Sequence, residues 1–315
     1  MIDITLQNFE PDLIHASMKA PVLLDIWAPW CGPCKTLGPL LERLETAYAG
    51  RFTLAKLNSD EQPEIAGQLS QAFGVRSIPF CVMFDKGAPV DGFVGAQPEA
   101  QIRAFLDRHV PTLAEAEAEA EVEEAEELEA AGDTDAALAK LQQAVAMAPG
   151  NDTARCDYLK LLLELGRVPQ ARMAYEPIAN KTALDARIAA LGHWLAACEQ
   201  APQARDPQSL AAAIAADRRD FAARFELAQR HFAASRFTEA MDELLEIVMR
   251  DKEWNEQLAR KTYVAILELM TKPAPKAAAA AEPAKGTLEV AGRATPTTAD
   301  PVIEQYRRKL SMALF

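Results

Sequence analysis

Two patterns of apolar positions divide the sequence near residue 110. Before that point, short apolar runs such as "VLLDIW" alternate with segments whose apolar residues recur every three or four positions. Short apolar runs are typical of buried strands, and the longer spacing is typical of amphipathic helices. After it, Ala, Leu and Glu dominate and one helical pattern follows another. The 315 residues are therefore predicted to form an α/β domain over 1–110 and an all-α domain over 111–270.

The predicted α/β domain alternates strands with helices. Its strands are "IDIT", "APVLLDIWAP" and "FTLAKLNSD", followed by a hairpin over "PFCVMFDKGAPVDGFVG" with its turn at "DKGAP". Its helices are "CGPCKTLGPLLERLETAYAG", "PEIAGQLSQAFG" and "PEAQIRAFLDRHV". Strands separated by helices indicate a mixed central sheet that helices cover on both faces.

The all-α region carries a repeat. Gly132 and Gly166 lie 34 residues apart, and Ser235 lies 69 residues further on, close to twice that distance. The residues five, nine and twelve positions after these anchors are apolar or aromatic: Ala137, Ala171 and Ala240; Leu141, Tyr175 and Leu244; Ala144, Ile178 and Ile247. A period of about 34 residues is the spacing of tetratricopeptide (TPR) helix pairs, in which small residues let paired helices approach closely. The stretch around 200–217 fits poorly and is interpreted as a degenerate unit.

Two further segments complete the predicted organisation. Residues 271–300 hold four prolines and ten alanines, a composition that builds no core and indicates a linker. Residues 301–315 predict an amphipathic helix, in which Ile303, Tyr306, Leu310 and Leu314 recur at helical spacing beside the basic run "RRK". Asp300 before Pro301 is a favourable start for that helix. Its apolar face could equally serve only to cap the last repeat.

The charge distribution excludes some classes of function. The net charge is −13, and the stretch 111–135 holds 11 acids and no base. An acidic chain without a basic stripe argues against nucleic-acid binding, and the acidic run is interpreted as the solvated face of a helix. No apolar run approaches the roughly 20 residues that span a membrane. The opening "MIDITLQNFE" lacks the features of a secretory signal, so a cytoplasmic location is expected.

The segment "WCGPCK" carries the candidate chemistry. Cys31 and Cys34 form a CxxC pair at the start of a predicted helix, directly after a buried strand. A helix N-terminus stabilises a thiolate, so this arrangement indicates thiol–disulfide exchange. Cys31, nearest the helix end, is expected to be the more exposed and to attack a substrate disulfide. Cys34, one turn further in, is expected to resolve the mixed disulfide.

Asp25 is the one acid in an otherwise apolar strand just before the dithiol. Burial raises the pKa of a carboxyl group, so Asp25 could accept the proton that Cys34 must lose. An ordinary buried acid paired with Lys56 on the next strand is the alternative, and it does not exclude the relay.

A zinc site and a structural disulfide are the alternative interpretations of the cysteines. A zinc site needs a second cysteine pair or histidines, and a structural disulfide is rare in the cytosol. No metal and no cofactor are therefore expected. The remaining cysteines are expected to pack in the core, and the pair Trp194 and Trp254 is expected to pack between helices; these cysteines are Cys81, Cys156 and Cys198.

The N-terminal residues resemble thioredoxin. "VLLDIWA", "WCGPCK", "SIPF", "VDGFVGA" and the helix proline Pro39 carry the resemblance, which covers residues 1–110. It implies the thioredoxin fold and a thiol–disulfide oxidoreductase of the protein-disulfide reductase type. Cys31 would be the nucleophile and Cys34 the resolving thiol, with thioredoxin reductase or glutathione as the reductant.

The same resemblance assigns the residues around the dithiol. Asp25 would be the buried acid and Lys56 its neighbour. Pro79 would be cis and face the dithiol, and Ile78 would offer its backbone to an extended substrate. The rest of the groove would be lined by Trp30 and Gly95. Phe80 and Cys81 depart from the family pattern, and the larger ring of Phe80 is expected to reshape the floor beneath the site.

The order of the domains resembles the bacterial chaperedoxins of the CnoX/YbbN type. "VDGFVGAQPEAQIRAFLD" and the ending "QYRRKLSMALF" add to this resemblance. It implies a cytosolic holdase that binds unfolding client proteins and passes them to the GroEL–GroES chaperonin, with the DnaK system as a further partner. The chaperonin would dock on the terminal helix, through Tyr306, Arg307, Arg308, Leu310 and Leu314.

Three functions stay open on the sequence. The first is a redox-active chaperone in which disulfide exchange is secondary to holding. The second is a disulfide reductase whose repeats recruit one specific partner. The third is a scaffold with a vestigial dithiol, which the intact CGPC motif, Asp25 and Pro79 disfavour because exchange chemistry needs them and the fold does not.

Overall fold

The computed structural model describes residues 2–271 and 300–314. Most of the predicted linker over 271–300 lies outside the described residues. The chain separates into two compact units, of which the first ends at Ala116 and the second begins at Glu117 and includes the terminal helix. Each unit has hydrophobic clusters of its own.

A five-stranded sheet forms the centre of the first unit. Its spatial order is β1-β3-β2-β4-β5, so β2 lies in the middle. β3 pairs in parallel with β1 and β2, whereas β4 pairs antiparallel with β2 and β5, which makes the sheet mixed as the sequence predicts. The strands are β1 Ile2–Asp3, β2 Val22–Trp27, β3 Thr53–Asn58, β4 Phe80–Asp85 and β5 Ala88–Val94.

Helices cover both faces of this sheet, and they are α1 Gly32–Ala47, α2 Pro63–Phe73 and α3 Glu99–His109. Successive strand residues point to opposite faces. Leu24 of β2 accordingly joins a cluster with Leu69 of α2. Leu23, its neighbour, joins a second cluster with Leu41 of α1 and Phe105 of α3. The residues of β2 are thus divided between two cores, and those that share the face of Leu23 lie under α1.

The predicted hairpin is confirmed. β4 and β5 pair through Asp85 and Ala88, and the turn between them is Lys86 and Gly87, with φ of 52° and 79°. Positive φ at both central residues suits the two-residue turn that matches the twist of a hairpin.

The sequence analysis predicts no element over 9–18, where the chain forms one π-helical and one 3₁₀ segment, Phe9–His15 and Ala16–Met18. Leu13 is buried, and Phe9, Ile14 and Ala16 pack against the same core while they stay partly exposed. These few apolar residues are not enough to read a helical period from the sequence.

The second unit is helical. Among the described residues no helix has both the length and the apolar content that crossing a bilayer requires. The helices are α4 Leu113–Ala130, α5 Thr134–Met147, α6 Asp152–Glu164, α7 Val168–Tyr175, α8 Ala186–Gln200, α9 Pro207–Ala216, α10 Phe221–Ala233, α11 Phe237–Arg250, α12 Trp254–Met270 and α13 Pro301–Leu314.

The three repeat anchors end helices in the left-handed conformation. Gly132, Gly166 and Ser235 have φ of 85°, 66° and 59° and lie between α4 and α5, α6 and α7, and α10 and α11. The small residues five positions later are fully buried, as are most of the larger ones: Ala137, Ala171, Ala240, Leu141 and Leu244. The predicted helix pairs are therefore present.

Tyr175 shows how the repeat tolerates a large residue. Its ring packs against the repeat core from the end of α7. A Cβ atom added at Gly192 of α8 would lie only 2.2 Å from the Tyr175 hydroxyl oxygen. Glycine at position 192 thus makes room for the tyrosine.

Candidate active site

The dithiol lies where β2 passes into α1. Cys31 is the N-cap residue of α1, and its Sγ accepts a hydrogen bond from the backbone N–H of Cys34 at 3.2 Å. The two sulfurs form a disulfide. When the pair is reduced, that N–H and the helix dipole are placed to stabilise a thiolate on Cys31.

The expected difference in exposure between the two cysteines is absent. Cys31 and Cys34 are each 4% exposed. Both are packed among Ala28, Trp27 and Ile78, which cover the disulfide with apolar surface. What distinguishes them is their place on α1, because Cys31 precedes the first turn and Cys34 lies within it.

The segment that holds Pro79 adjoins the disulfide, because Ile78 packs against Cys31 and Cys34. The Ile78–Pro79 peptide bond is cis, as the resemblance implies. The backbone N–H of Gly95 donates to the carbonyl of Pro79 at 2.8 Å, which joins these two predicted groove residues. Gly95 has φ of 82°, and a Cβ atom there would meet nothing within 4 Å.

Trp30 is the exposed residue beside the disulfide. Its ring is 70% exposed, and its Nε1–H donates to both carboxylate oxygens of Asp60, at 3.2 and 3.0 Å. Asp60 is not predicted from the sequence. Its contact depends on the loop after β3, and no local pattern indicates it.

Asp25 is buried beneath α1. It follows Leu23 by two residues on β2 and so shares the face that α1 covers. It is 1% exposed. Burial raises the pKa of its carboxyl group to about 6, and the nearby Lys56 and a hydrogen bond from Cys81 act in the opposite direction. At neutral pH such a group exchanges protons readily, as a general base must.

Cys81 is a neighbour of Asp25 that sequence reasoning placed only in the core. It is fully buried, as expected. It also pairs with Asp25 across β2 and β4, and its Sγ–H donates to Asp25 Oδ1 at 3.7 Å. Phe80, the preceding residue, lies on the opposite face of the sheet, where its ring packs edge-on to Phe73 at 5.5 Å between centroids.

Lys56 lies beside Asp25 in the parallel pairing of β2 with β3. Its ammonium contacts Glu42 Oε1 of α1 at 2.5 Å. Lys56 therefore acts on the Asp25 carboxyl through its charge while it is paired with a different acid. Glu42 is a second residue that the sequence analysis missed.

The residues predicted for chaperonin docking divide into two sets. Tyr306 and Leu310 of α13 are buried in the core of the second unit, and Leu314 is partly buried against it. Arg307 and Arg308 are exposed. The buried set packs on α11 and α12, and the Tyr263 hydroxyl donates to the Tyr306 carbonyl at 2.8 Å.

The other cysteines and tryptophans of the second unit belong to its packing. Cys156, Cys198 and Trp194 are buried, and Trp254 is partly buried against the same core. Within the described residues, no group of three His, Cys, Asp or Glu side chains is arranged to hold a metal ion.

Comparisons with known proteins agree with the two-part architecture. The thioredoxin family model matches residues 1–108. Two tetratricopeptide-repeat models match residues 128–195 and 200–282, so the second match includes the stretch that the sequence analysis considered degenerate. The chain is thus a fusion of a thioredoxin domain with TPR repeats.

Curated thioredoxins are similar to the first unit. One from Chlorobaculum thiosulfatiphilum is 45% identical over 104 residues, which are 33% of this chain and 91% of that protein. Thioredoxin 1 from Nostoc sp. is 36% identical over 107 residues, 34% of this chain and 94% of the relative. One from Alicyclobacillus acidocaldarius is 48% identical over 86 residues, 27% of this chain and 78% of the relative. The Cys31–Cys34 pair fits the active-site dithiol of a thiol–disulfide oxidoreductase.

Proposed function

The chain belongs to the thioredoxin family, and from this premise we propose that it is a redox-active chaperone. It exchanges disulfides through Cys31 and Cys34 and holds unfolding proteins on its helical repeats. The observation that carries the redox part is the CxxC pair capping α1, next to the cis peptide bond at Pro79.

In the first step, the Cys31 thiolate attacks one sulfur of a client disulfide. A new S–S bond joins Cys31 to the client, the client disulfide breaks, and its other sulfur leaves as a thiolate that takes a proton from water. The groove beside Ile78 and Gly95 receives the client backbone in an extended conformation. Trp30, exposed at the rim, offers apolar surface to the client.

In the second step, Cys34 releases the client. The Asp25 carboxylate accepts the proton of the Cys34 thiol, directly or through water. The Cys34 thiolate attacks Cys31 Sγ, so the enzyme disulfide forms and the second client sulfur leaves. The client gains two electrons, and the Cys31–Cys34 disulfide must be reduced again by an external dithiol or thiol, for which thioredoxin reductase and glutathione are the candidates.

The surface of the second unit supports a role in holding clients. Four of the nine methionines of the chain are exposed there, and they are Met147, Met173, Met249 and Met312. Leu184 is 89% exposed on the same unit. Flexible, polarisable methionines are frequent on surfaces that bind many partners, because they adapt to different apolar shapes.

The proposed handover of clients uses α13. GroEL–GroES is the proposed acceptor and the DnaK system a second one, in the cytoplasm, as the resemblance to chaperedoxins suggests. With α13 in the described position, Arg307 and Arg308 are accessible to such a partner. Tyr306 and Leu310 reach it only if the helix leaves α11 and α12.

Aggregation of a client that contains no cysteine tests the holding function. The protein should slow its precipitation on heating, because holding needs surface and no disulfide. Equal precipitation with and without the protein would reject the chaperone function. The redox function is tested separately, by reduction of insulin with thioredoxin reductase as the electron source.

Deletion of 301–315 tests the handover. The truncated protein should lose binding to the chaperonin and keep the reactivity of Cys31. Retained binding would leave α13 only the role of covering α11 and α12. Because that deletion also uncovers an apolar face, the double variant Arg307→Ala and Arg308→Ala, which leaves the buried face intact, is the companion measurement.

A reductase whose repeats recruit one partner is the second candidate. The extended helical pairs of the second unit favour it as much as they favour holding, since repeat arrays of this kind commonly bind proteins. It predicts insulin reduction without suppression of aggregation.

A further inference from the structure

We propose that Cys81 and Glu42 are positioning residues for Asp25. Cys81 stabilises the Asp25 carboxylate by donating its thiol hydrogen, and Glu42 weakens the attraction of Lys56 for that carboxylate by holding the ammonium. This inference rests on the proposed role of Asp25 in accepting a proton from Cys34.

The contact of Cys81 with Asp25 is built into the sheet. β2 and β4 pair antiparallel with Asp25 opposite Cys81, and both side chains lie on the face beneath α1. Both residues are out of contact with solvent, at 1% and 0% exposure, and the donor–acceptor distance is 3.7 Å. A buried carboxylate is costly without donors, so even a weak thiol donor favours its charged form.

The thiol itself stays protonated. Burial and the adjacent Asp25 carboxylate raise the pKa of Cys81 well above its ordinary value. Cys81 is therefore a hydrogen-bond donor across the working pH range and takes no part in disulfide exchange.

Glu42 acts from the helix above. Cys34, Gly38 and Glu42 recur every four residues along one side of α1. A Cβ atom at Gly38 would lie 3.5 Å from Lys56 Nζ, and Glu42 Oε1 contacts that nitrogen at 2.5 Å. The ammonium is thus drawn along α1 to the turn beyond Gly38, away from the turn that holds Cys34.

Among the described residues, two groups act on the Asp25 carboxyl directly, Lys56 from β3 and Cys81 from β4. From α1, Glu42 contacts Lys56, and the cysteine pair lies at the start of the same helix. The consequence is a pair of opposed effects. Loss of the Cys81 donor disfavours the Asp25 carboxylate, and loss of the Glu42 charge favours it.

The test is an NMR titration of the Asp25 carboxyl carbon in the full-length, oxidised protein. The disulfide form is chosen because Cys34 then does not titrate alongside Asp25. Cys81→Ala should raise the pKa of Asp25 by roughly 0.5 to 1, the effect expected from losing one hydrogen bond to a charged group. Glu42→Gln should lower it by roughly 0.5, since the freed Lys56 and the removed negative charge act in the same direction.

Three further variants test whether the shifts in the pKa of Asp25 have other causes. Cys81→Ser keeps a donor of similar size and should return the pKa of Asp25 to the native value or below. Val82→Ala truncates a fully buried neighbour on the other face of β4 and should not change it. Glu64→Gln makes the same chemical change as Glu42→Gln at an exposed position of α2 and should also have no effect.

The proposal is overturned if Cys81→Ala and Glu42→Gln shift the pKa of Asp25 in the same direction, or if neither shifts it. If Cys81→Ala does not fold, the pKa of Asp25 is compared between Cys81→Ser and Glu42→Gln. A pKa of Asp25 above the native value in Cys81→Ser contradicts the donor role of Cys81. The proposed relay is judged by a different measurement, the pH profile of mixed-disulfide resolution in Asp25→Asn. A failure of the relay therefore does not mimic a failure of the positioning residues.

Discussion

Cys31 of the first unit and the two cysteines of the second unit lie in different environments. Cys31 caps a helix and accepts a backbone hydrogen bond at its sulfur, which favours a thiolate once the disulfide is reduced. Cys156 and Cys198 lie among the packed helices of the second unit, where burial raises the pKa of their thiols to about 12 and about 11. Thiols of this kind stay protonated and unreactive at neutral pH.

This contrast indicates a division of labour. The first unit buries a titratable acid, Asp25, beneath α1, the helix that Cys31 caps. The second unit places small residues such as Ala137 and Ala171 where helices meet and leaves methionines on its surface. We therefore expect disulfide exchange to depend on the first unit and the holding of client proteins to depend on the helical repeats of the second.

The largest expected effect comes from Cys31→Ser. Insulin reduction should fall more than about a thousandfold, because the nucleophile is removed. Cys198→Ala in the second unit is the matched control and should keep the native rate. Appreciable insulin reduction by Cys31→Ser, or a clearly slower rate in Cys198→Ala, would contradict the contrast between the cysteines of the two units.

Leu141→Ala should destabilise the second unit without altering the first. Leu141 is fully buried between repeat helices, and removing its side chain leaves a cavity that costs about 2–5 kcal/mol. Hydrogen exchange reports the stability of each unit separately. Leu184→Ala, at a residue that is 89% exposed, should change little. A slower insulin reduction in Leu141→Ala would show that the units are coupled.

Asp25→Asn should stabilise the first unit at neutral pH. Because the folded-state pKa of Asp25 is raised from 3.8 to about 6, the folded protein retains this proton between those two values and its stability falls as the pH rises through them. Above pH 6 the buried carboxylate costs on the order of 3 kcal/mol, which the amide avoids. Denaturant unfolding at pH 4 and pH 8 should show the gain only at pH 8; equal gains at both would contradict this account.

The smallest expected effect concerns α13. Lys309 pairs with Asp242 at 3.1 Å, and its Nζ lies 4.1 Å from the centroid of the Tyr306 ring. Lys309→Met should lower the stability of the second unit by about 0.5–1 kcal/mol, since the pair is partly exposed. Arg308→Met, at an exposed position on the same helix, is the control. No difference between them in hydrogen exchange of α13 would mean that the apolar face alone holds the helix.

Patterns along the sequence were sufficient to predict most of the fold. A continuous apolar run located β2, and the apolar segments on either side of the turn residues Lys86 and Gly87 located the hairpin of β4 and β5. In the repeats, the spacing of Gly132 and Gly166 predicted helix pairs, and the structure places both glycines in the left-handed conformation between helices. Each of these signals is a pattern along the chain itself, so a single sequence carries it.

Contacts between distant residues were not predictable in the same way. The hydrophobic character of a free cysteine puts Cys81 in the core, but only the register of β2 with β4 brings its thiol to Asp25. Lys56 was expected beside Asp25, and the neighbour on α1 that holds its ammonium, Glu42, depends on how the helix crosses the sheet. Amphipathicity predicted α13 without telling whether its apolar face packs within the chain.

Heat-induced aggregation of a cysteine-free client with the double variant Cys31→Ser and Cys34→Ser is the most direct test of the division between units. The variant lacks the dithiol and keeps the helical repeats. We expect it to suppress aggregation as well as the native protein while reducing no insulin. Loss of suppression in a variant that stays folded would contradict the account, because holding would then depend on the chemistry of "WCGPCK" and not on the surface of the repeats.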